Sequence, residues 1–519
     1  MKFKRFMAIF MVSAMTVSAG SSLVSAATYQ ETEKEKFTNW VQNYTAVYQE
    51  QLDTLGDKIA AGADLYLQLT DTSRALLGMM VPVDISWLDH VGFAYDVTLV
   101  DGIEAVVGSL YVNDYDVCAV EVYIDTNSML CYMRIPELHD SYISVDMNAA
   151  MESEGELPAS FSTMTDPMAL YPDAAVLESL LTRYASIVFD GFGDSIDSEN
   201  TLSVEGVEAA CTTYEGQMQI EDAQNFMTNL LTTAKDDAEL KDIIETWAPA
   251  MAVESESGDI YQDFQTSIDE LLTELTESPA ENDGSYVSSK IWVDADNTIV
   301  GREIGFYDNA GAESDMYFKY QAPSNGTETA LMIEFAADGE SFGLSGQGTI
   351  TDGKVSGTYD VLYNNVVMAS IDVVDYVPAD TANGGLNGSY ILTLQPGIGE
   401  EEYATLSSFG VQIDCATDME TLDQALALTL TMSGAPLGTI GLTAGQTEAI
   451  EVPDLASLTN VLDAMVEDDM ITYVEEMDWA PILENCVAAG MPEDVASMLD
   501  ELIYDALYGE EVTDEAPVA

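Results

Sequence analysis

Positively charged residues are scarce in this chain of 519 residues. It has 15 Lys and Arg against 92 Asp and Glu, and its formal net charge is −77. Nucleic-acid binding needs clustered Lys and Arg that neutralise phosphates, and anionic lipid surfaces attract the same cations. The composition therefore excludes a DNA- or RNA-binding protein and argues against docking on an anionic membrane surface.

Cysteine and histidine are also rare. The five cysteines are too few and too scattered for a disulfide framework, and none forms a C-x-x-C pair typical of structural zinc. Neither His90 nor His139 has a nucleophile motif beside it, and segment 343–347 departs from G-x-S-x-G at its last residue. We assign no catalytic, cofactor-binding or metal-ligating residue, and predict a non-enzymatic protein. A glycoside or ester hydrolase is the low-probability alternative, because 92 acids make carboxylate pairs inevitable.

Long hydrophobic runs are absent beyond the N-terminus. Lys2, Lys4 and Arg5 precede a short apolar segment at 6–17, and residues 24–26 supply the small side chains that signal peptidase needs. The apolar segment is too short to span a membrane. We predict a signal peptide at 1–26 that is cleaved near Ala26, in the style of Gram-positive bacteria. The protein is expected to be secreted or extracellular, with no transmembrane segment in the mature chain.

One segment resembles the start of a calcium-binding loop. Asp294, Asp296 and Thr298 follow the spacing of the first EF-hand ligands, but Ile299 stands where the loop needs Gly, and Gly305 where it needs Glu. A hairpin turn is the better interpretation, so no metal site or cofactor is assigned. The charge density predicts only weak, diffuse association with divalent cations.

Apolar residues are plentiful despite the charge. Hydrophobic residues make up 47% of the chain, with 26 Tyr and 25 Met, whereas a disordered acidic chain is poor in both. Their spacing alternates between the helical period and the strand period of two. Helices are predicted at 32–52, 176–188, 226–244 with a break near Asp236, 261–275, 455–466, 481–487 and 495–507. The first carries a capping-box pattern at Thr32 and Glu35.

Strand patterns fill most of the remaining sequence. They are predicted at 65–69, 91–100, 104–112, 118–124, 130–135, 142–147, 203–219, 286–293, 299–307, 316–321, 330–336, 342–350, 355–363, 366–374 and 389–394, with two or three more between 409 and 450. Asn-Gly and Asp-Gly pairs in several connections favour tight hairpins. We predict an α+β fold with extended antiparallel β-meander sheets, long hairpins and amphipathic helices covering one face.

The pattern divides the chain into five segments. They are a signal peptide (1–26), an N-terminal helix with a β-sheet and helical insertions (27–280), an antiparallel β-meander region (281–452), C-terminal helices docking on the sheet (453–508) and an acidic tail (509–519).

One hairpin permits a prediction of register. A turn at 125–128 pairs Ile124 with Met129 and Cys118 with Ile135. Cys118 and Cys131 are then offset by four residues, about 13 Å at the rise of a strand. A disulfide needs Cα atoms within about 7 Å, so this hairpin is not expected to be bridged.

The opening helix and long hairpins give a resemblance over about residues 30–400. With the segments VYID at 122–125 and KIWVD at 290–294, the chain resembles the curved half-barrel folds of bacterial lipoprotein carriers. It is also similar to uncharacterised secreted β-rich proteins of Gram-positive gut bacteria. The carriers hold lipid or lipoprotein acyl chains between sheet and helices, so the resemblance implies an apolar-ligand role.

Two function classes follow. The first is a secreted binding protein that holds an apolar or amphipathic ligand between sheet and helices, for which the Met-rich and aromatic faces are suited. The second is a surface interaction or structural protein with a solid core, whose acidic exterior meets a cationic partner.

Overall fold

The structure is a computed structural model. It describes residues 28–55, 59–80, 84–100, 102–149, 171–250, 255, 257–277, 283–337, 339–382, 385–395, 408–418, 421 and 423–508. The predicted signal peptide and acidic tail lie outside these residues. None of the described helices is long and apolar enough to cross a membrane.

Helices are labelled in chain order. They are α1 (Tyr29–Leu55), α2 (Asp71–Gly78), α3 (Ala174–Asp190), α4 (Ile220–Lys235), α5 (Ala238–Ala250), α6 (Ile260–Glu277), α7 (Pro378–Ala382), α8 (Glu467–Glu475), α9 (Ala480–Ala488) and α10 (Glu493–Tyr508). A 3-10 turn lies at Leu455–Ser457.

Strands are labelled in the same way. They are β1 (Ile59–Leu69), β2 (His90–Val100), β3 (Ile103–Val112), β4 (Tyr115–Asp125), β5 (Leu130–Arg134), β6 (Tyr142–Asp146), β7 (Gly193–Val204), β8 (Val207–Gln219), β9 (Tyr286–Asp294), β10 (Ile299–Tyr307), β11 (Glu313–Gln321), β12 (Glu328–Ala337), β13 (Glu340–Thr351), β14 (Lys354–Tyr363), β15 (Val366–Tyr376), β16 (Gly388–Leu394), β17 (Phe409–Thr417), β18 (Gln424–Met432), β19 (Ala435–Gln446) and β20 (Val461–Asp463). Helices and mostly antiparallel strands together confirm an α+β fold with a β-meander.

The chain forms two compact units. Unit 1 contains residues 1–54 and 157–408, and unit 2 contains residues 55–156 and 409–519. This division differs from the contiguous segments drawn from the sequence pattern. Unit 2 joins distant parts of the chain because β1 pairs with β19, and periodicity within single strands carries no information about such long-range pairing.

Unit 1 is built on a meander. Each strand from β7 to β16 pairs antiparallel with the next one in sequence. Asp352 and the pair Asn364 and Asn365 have positive φ, as the tight hairpin turns require. The predicted strand 299–307 coincides with β10.

Charges of alternating sign cross one face of this meander. Glu215 lies opposite Lys290, which lies opposite Glu303, followed by Lys319 and Glu334 on the next two strands. Opposite charges on directly paired residues each stabilise a sheet by about 0.2–1 kcal/mol. Because a one-residue slip would move these side chains to the other face, the ladder also helps to fix the register.

The main core of unit 1 lies on the other face of the sheet. Residues of α1, α3 and α4 share this core with residues of β9 and β10. Its fully buried members include Val41, Met227, Val287 and Ile291.

A buried ion pair ties α1 to this core. Arg302 on β10 donates hydrogen bonds from both terminal nitrogens to Glu33 on α1, and the Nη2–Oε2 distance is 3.0 Å. Both side chains are almost fully buried. Tyr29 beside them donates a 2.7 Å hydrogen bond to Ser289 Oγ, and burial, followed by the nearby charge of Glu33, raises its pKa. Removing one ion of such a pair leaves the other buried without compensation.

In unit 2 the strand order is β17-β18-β19-β1-β2-β3-β4-β5-β6-β20. Neighbouring strands are antiparallel except β6 and β20, which are parallel. The short strand β20 corrects the helix predicted at 455–466. Val461 and Leu462 pair with Tyr142 and Ile143 there, because a free sheet edge offers hydrogen bonds that outweigh a short helical pattern.

Two further local predictions are wrong. The helix α1 starts at Tyr29, and Thr28 Oγ1 accepts the Glu31 N–H, so Thr32 lies inside the helix and does not cap it. In the β4–β5 hairpin, Ile124 pairs with Cys131 and not with Met129. Asp125 accepts hydrogen bonds from Asn127 and Ser128 and pairs with Leu130, so the turn keeps its length but is shifted by one residue, to 126–129. The thiols of Cys118 and Cys131 are unlinked, as predicted.

Candidate binding face

One face of the unit 2 sheet is apolar across seven strands. Paired residues on neighbouring strands point to the same side of a sheet, and alternate residues along a strand do so as well. The registers therefore place on one face Val411, Ile413 and Cys415 of β17, Leu426, Leu428 and Leu430 of β18, Ile440 and Leu442 of β19, Leu65 and Leu67 of β1, Phe93, Tyr95, Val97 and Leu99 of β2, Val106 and Leu110 of β3, and Val120 and Val122 of β4. We call it the apolar face.

The centre of this face is open to solvent. Seven of its aliphatic side chains, on the adjacent strands β18, β19 and β1, are 37% to 53% exposed: Leu426, Leu428, Leu430, Ile440, Leu442, Leu65 and Leu67. We call these seven residues the exposed patch. Soluble proteins rarely leave so many neighbouring aliphatic side chains in water unless the surface has a binding role.

Helix α9 covers the apolar face on one side of the patch. Ile482, Cys486 and Ala489 pack near Val112 and Val117. Asn485 donates a 3.0 Å hydrogen bond to the carbonyl of Val117, which fixes the helix against β4. The helix therefore packs on β4, and β3 and β2 separate it from the exposed patch.

Asn113 holds the end of α9 in place. Its side chain accepts hydrogen bonds from the Asp89 and His90 amides and donates to the carbonyls of Trp87 and Ala489. The φ of Asn113 is positive, a conformation that Asn tolerates in tight turns.

A single carboxyl group lies on the apolar face. Glu104 of β3 stands between Leu99 of β2 and Ile124 of β4. Among the described residues its Oε2 is buried without a hydrogen-bond partner, and burial raises its pKa. Burial, followed by the charge of Glu104, also raises the pKa of the Cys131 thiol.

The opposite face of the same strands is polar. It carries a cavity of about 890 Å³ lined by small residues and by six carboxylates: Asp64, Asp96, Asp116, Glu137, Asp418 and Asp423. Three of them are held by hydrogen bonds from Tyr111 (2.7 Å), Ser109 (2.7 Å) and the Ala119 amide (2.9 Å). None of the described residues that line the cavity has a cationic side chain.

Both histidines lie in unit 2. His90 begins β2, its Nδ1 lies 3.1 Å from Asp114, and its ring contacts the edges of Tyr66 and Tyr111. The rings of these tyrosines lie over Gly441 and Gly92, where any Cβ would collide with them.

His139 is buried in the loop after β5. Its ring packs on Tyr473 of α8 at 4.5 Å, and its Nδ1 accepts the Ser141 amide. Both histidines thus serve local packing and turn geometry.

The other segments singled out in the sequence lie in unit 1. Asp294 to Thr298 forms the β9–β10 hairpin turn, in which the Asp294 carboxylate accepts the Thr298 amide at 2.8 Å and Asn297 has positive φ. This confirms the hairpin interpretation. Ser345 lies within the antiparallel strand β13 and donates to Glu205, away from any strand-to-helix turn. Among the described residues no group of three or more His, Cys, Asp or Glu could hold a metal ion.

Unit 1 also has exposed apolar residues, and four of them form a short row. Phe335, Phe342, Tyr363 and Val366 pair across β12 to β15, and the last two flank a hairpin turn. The row is smaller than the exposed patch of unit 2.

Sequence reasoning identified neither Glu104 nor the exposed patch. The alternation in each strand was visible, but the pairing of β18, β19 and β1 that brings the seven aliphatic side chains together was not. Comparison with family models, with curated proteins and with solved structures gives no match for this chain.

Proposed function

We propose that this chain is a secreted, non-enzymatic binding protein of the cell envelope or extracellular space that holds an apolar or amphipathic ligand on the apolar face of unit 2. The exposed patch is the observation that carries the proposal. Helix α9 packs on β4 of the same sheet, which supports a ligand position between sheet and helix, as the sequence analysis expected.

Covering the exposed patch would stabilise a complex. Burial of apolar surface contributes about 25 cal/mol per Å². Ordering of the ligand and loss of its translational freedom offset a large part of this gain.

The charge of the protein limits the occupant. With a net charge of −77, two copies repel each other, and so do the protein and an anionic bilayer. The proposed occupant is therefore a single neutral or cationic amphiphile and not a second copy of the chain or an anionic lipid surface.

The proposal also includes export of the chain through its signal peptide. N-terminal sequencing of the protein recovered from culture medium should begin at Ala27; a chain that starts at Met1 would contradict secretion through a cleaved signal.

In unit 1, amphipathic helices are proposed to cover one face of the sheet, with the shared core of α1, α3, α4, β9 and β10 as support.

A cationic partner is the second candidate. The cavity with six carboxylates on the polar face of unit 2 favours it, because none of the described residues that line the cavity is cationic. A basic partner would bind there with an affinity that falls steeply with salt, whereas binding of a neutral ligand on the apolar face would depend little on salt.

A pair of neighbouring residues tests the first candidate. Leu442 and Thr443 are adjacent on β19, both exposed, and on opposite faces. Binding of a neutral fluorescent apolar probe should weaken about tenfold for Leu442→Asn, since burying one Leu contributes about 1.5–3 kcal/mol. Thr443→Asn is the control and should bind as the wild type does. Absence of binding by the wild type, or equal loss in both variants, would refute the proposed face.

A further inference from the structure

The lone carboxyl of the apolar face points to the chemistry of the ligand. Among the residues that the strand registers place on this face, Glu104 is the one with an ionisable carboxyl group. Its cross-strand neighbours are Leu99 and Ile124, and Ile124 in turn pairs with Cys131. No Lys, Arg or His shares the face in the described strands.

A carboxylate in these surroundings is costly. Burial of a polar atom without a hydrogen bond destabilises the folded state, and the cost grows when the group is charged. Elsewhere in the protein the buried acid Glu33 is compensated by Arg302. For Glu104 no such group is present in the part of the chain that the structure describes.

We propose that Glu104 pairs with a cationic group of the ligand, and that the ligand is a long-chain amine whose apolar tail lies along the apolar face. This inference rests on the proposed function. An ammonium group would satisfy the free oxygen and charge of Glu104, and the apolar residues around it would exclude water from the pair.

The distances along β3 fit such a ligand. Leu110 stands in register with Phe93, Leu65 and Leu442, and is six residues from Glu104, or about 20 Å at the rise of a strand. Half-buried apolar side chains, including Tyr95 and Val106, line the path between the two points. A tail that starts at Glu104 would therefore run along β3 toward Leu110, which is in register with Leu65 of the exposed patch through Phe93.

Gly108 lies midway along this path. A Cβ at this position would come within 2.6 Å of the Phe93 ring, so the glycine allows that ring to lie flat on the sheet. The Phe93 ring therefore forms part of the apolar surface along this path.

The net charge favours the same ligand class. A protein with 92 acids concentrates cations near its surface and repels fatty acids and other anionic amphiphiles. An anionic head group placed beside Glu104 would add like-charge repulsion in a site of low dielectric constant. The electrostatics therefore select an amine over a carboxylate with the same tail.

Competition experiments on the secreted full-length chain test this inference. Dodecylamine and dodecanol, which share one tail, compete for a neutral fluorescent apolar probe bound to the wild type, to Glu104→Gln and to Glu448→Gln. Glu448 is an exposed acid in the loop after β19, so its variant removes one charge away from the apolar face. We expect the wild type and Glu448→Gln to prefer the amine about tenfold, and Glu104→Gln to lose that preference while binding dodecanol as before.

The outcomes separate the two proposals. If the probe and dodecanol bind but the amine has no advantage, or keeps its advantage in Glu104→Gln, the pairing at Glu104 is wrong and the apolar face stands. If no probe binds to the wild type, the proposed function fails and the inference fails with it. Because dodecanol binding is measured in every variant, a misfolded Glu104→Gln protein is recognised by its loss of both ligands and is replaced by Glu104→Met, for which the same loss of amine preference is expected.

Discussion

Units 1 and 2 use the same kind of sheet in different ways. Among the described residues, each contains ten paired strands with an apolar face. In unit 1, residues such as Val287 and Ile291 on this face are fully buried in a core shared with α1, α3 and α4. In unit 2, Leu65 and Ile440 on the apolar face are about half exposed. An alternating strand pattern therefore shows that a face is apolar, but not whether the face stabilises the fold or binds a ligand.

Two glutamates, one in each unit, show the same difference between the units. Glu33 of unit 1 is buried with Arg302 as its partner, whereas Glu104 of unit 2 has a buried oxygen without one in the described residues. A buried pair fixes a helix to a sheet, while a lone acid leaves the charge to be compensated from outside. The first belongs to the architecture, and the second to the proposed site.

The largest predicted effect comes from breaking the pair of unit 1. Arg302→Met should lower the free energy of unfolding by about 3–5 kcal/mol, because Glu33 is left buried and charged. Denaturant titration measures the change. Adding Glu33→Leu should restore much of the loss, since both charges are then gone.

A neighbouring ion pair supplies the control. Lys34 on α1 pairs with Asp190, and both side chains are exposed to solvent. Lys34→Met should change stability by less than about 1 kcal/mol. Equal losses for Lys34→Met and Arg302→Met would show that burial of the pair has no energetic role.

Truncation of one apolar residue in each unit tests the contrast directly. Ile291→Ala creates a cavity in the core of unit 1 and should cost about 2–5 kcal/mol. Leu442→Ala removes a side chain that is already 40% exposed and should cost less than about 1 kcal/mol. Both values come from denaturant titration without ligand. Similar costs would mean that the face of unit 2 is packed in solution.

The pH dependence of Glu104→Gln gives a smaller effect. Burial raises the pKa of Glu104 in the folded state, so the ionised group destabilises the folded protein at pH 7. This penalty decreases as the pH falls through the folded-state pKa. It is gone below the unfolded-state pKa of about 4.3. The variant should therefore melt at a higher temperature than the wild type at pH 7 and at the same temperature near pH 4. A constant difference at both pH values would contradict the raised pKa.

Salt should produce the smallest and most general effect. Lys354 is the last cation, and 31 acids follow it, so the C-terminal part of the chain contains no cation to balance them. NaCl should raise the melting temperature by screening this repulsion, and CaCl₂ should do so more strongly per mole. Saturation at micromolar Ca²⁺ would instead reveal a specific metal site.

Local patterns predicted the secondary structure well where chain neighbours pair with each other. The hairpins from β9 to β15 follow this rule, and the break between α4 and α5 falls near Asp236 as expected. Prediction failed where distant segments decide the outcome. Strand β20 forms because β6 offers it an edge, and the β4–β5 hairpin shifts by one residue because Asp125 pairs with Leu130 and organises the turn that follows it.

The candidate site could not be predicted from the sequence for the same reason. Leu65 and Leu442 are far apart in the chain, and their contact depends on the pairing of β1 with β19. Glu104 was one acid among 92 until the registers placed it alone on an apolar face.

Extraction of the purified secreted protein with organic solvent, followed by mass spectrometry, tests the central claim most directly. The account predicts a reproducible amphiphile that co-purifies with the wild type and with Thr443→Asn, and that is depleted in Leu442→Asn. An amine in the extract would also support the pairing with Glu104. Extracts without any amphiphile, together with a wild type that does not bind added apolar probes, would contradict the claim that the apolar face of unit 2 is a binding site.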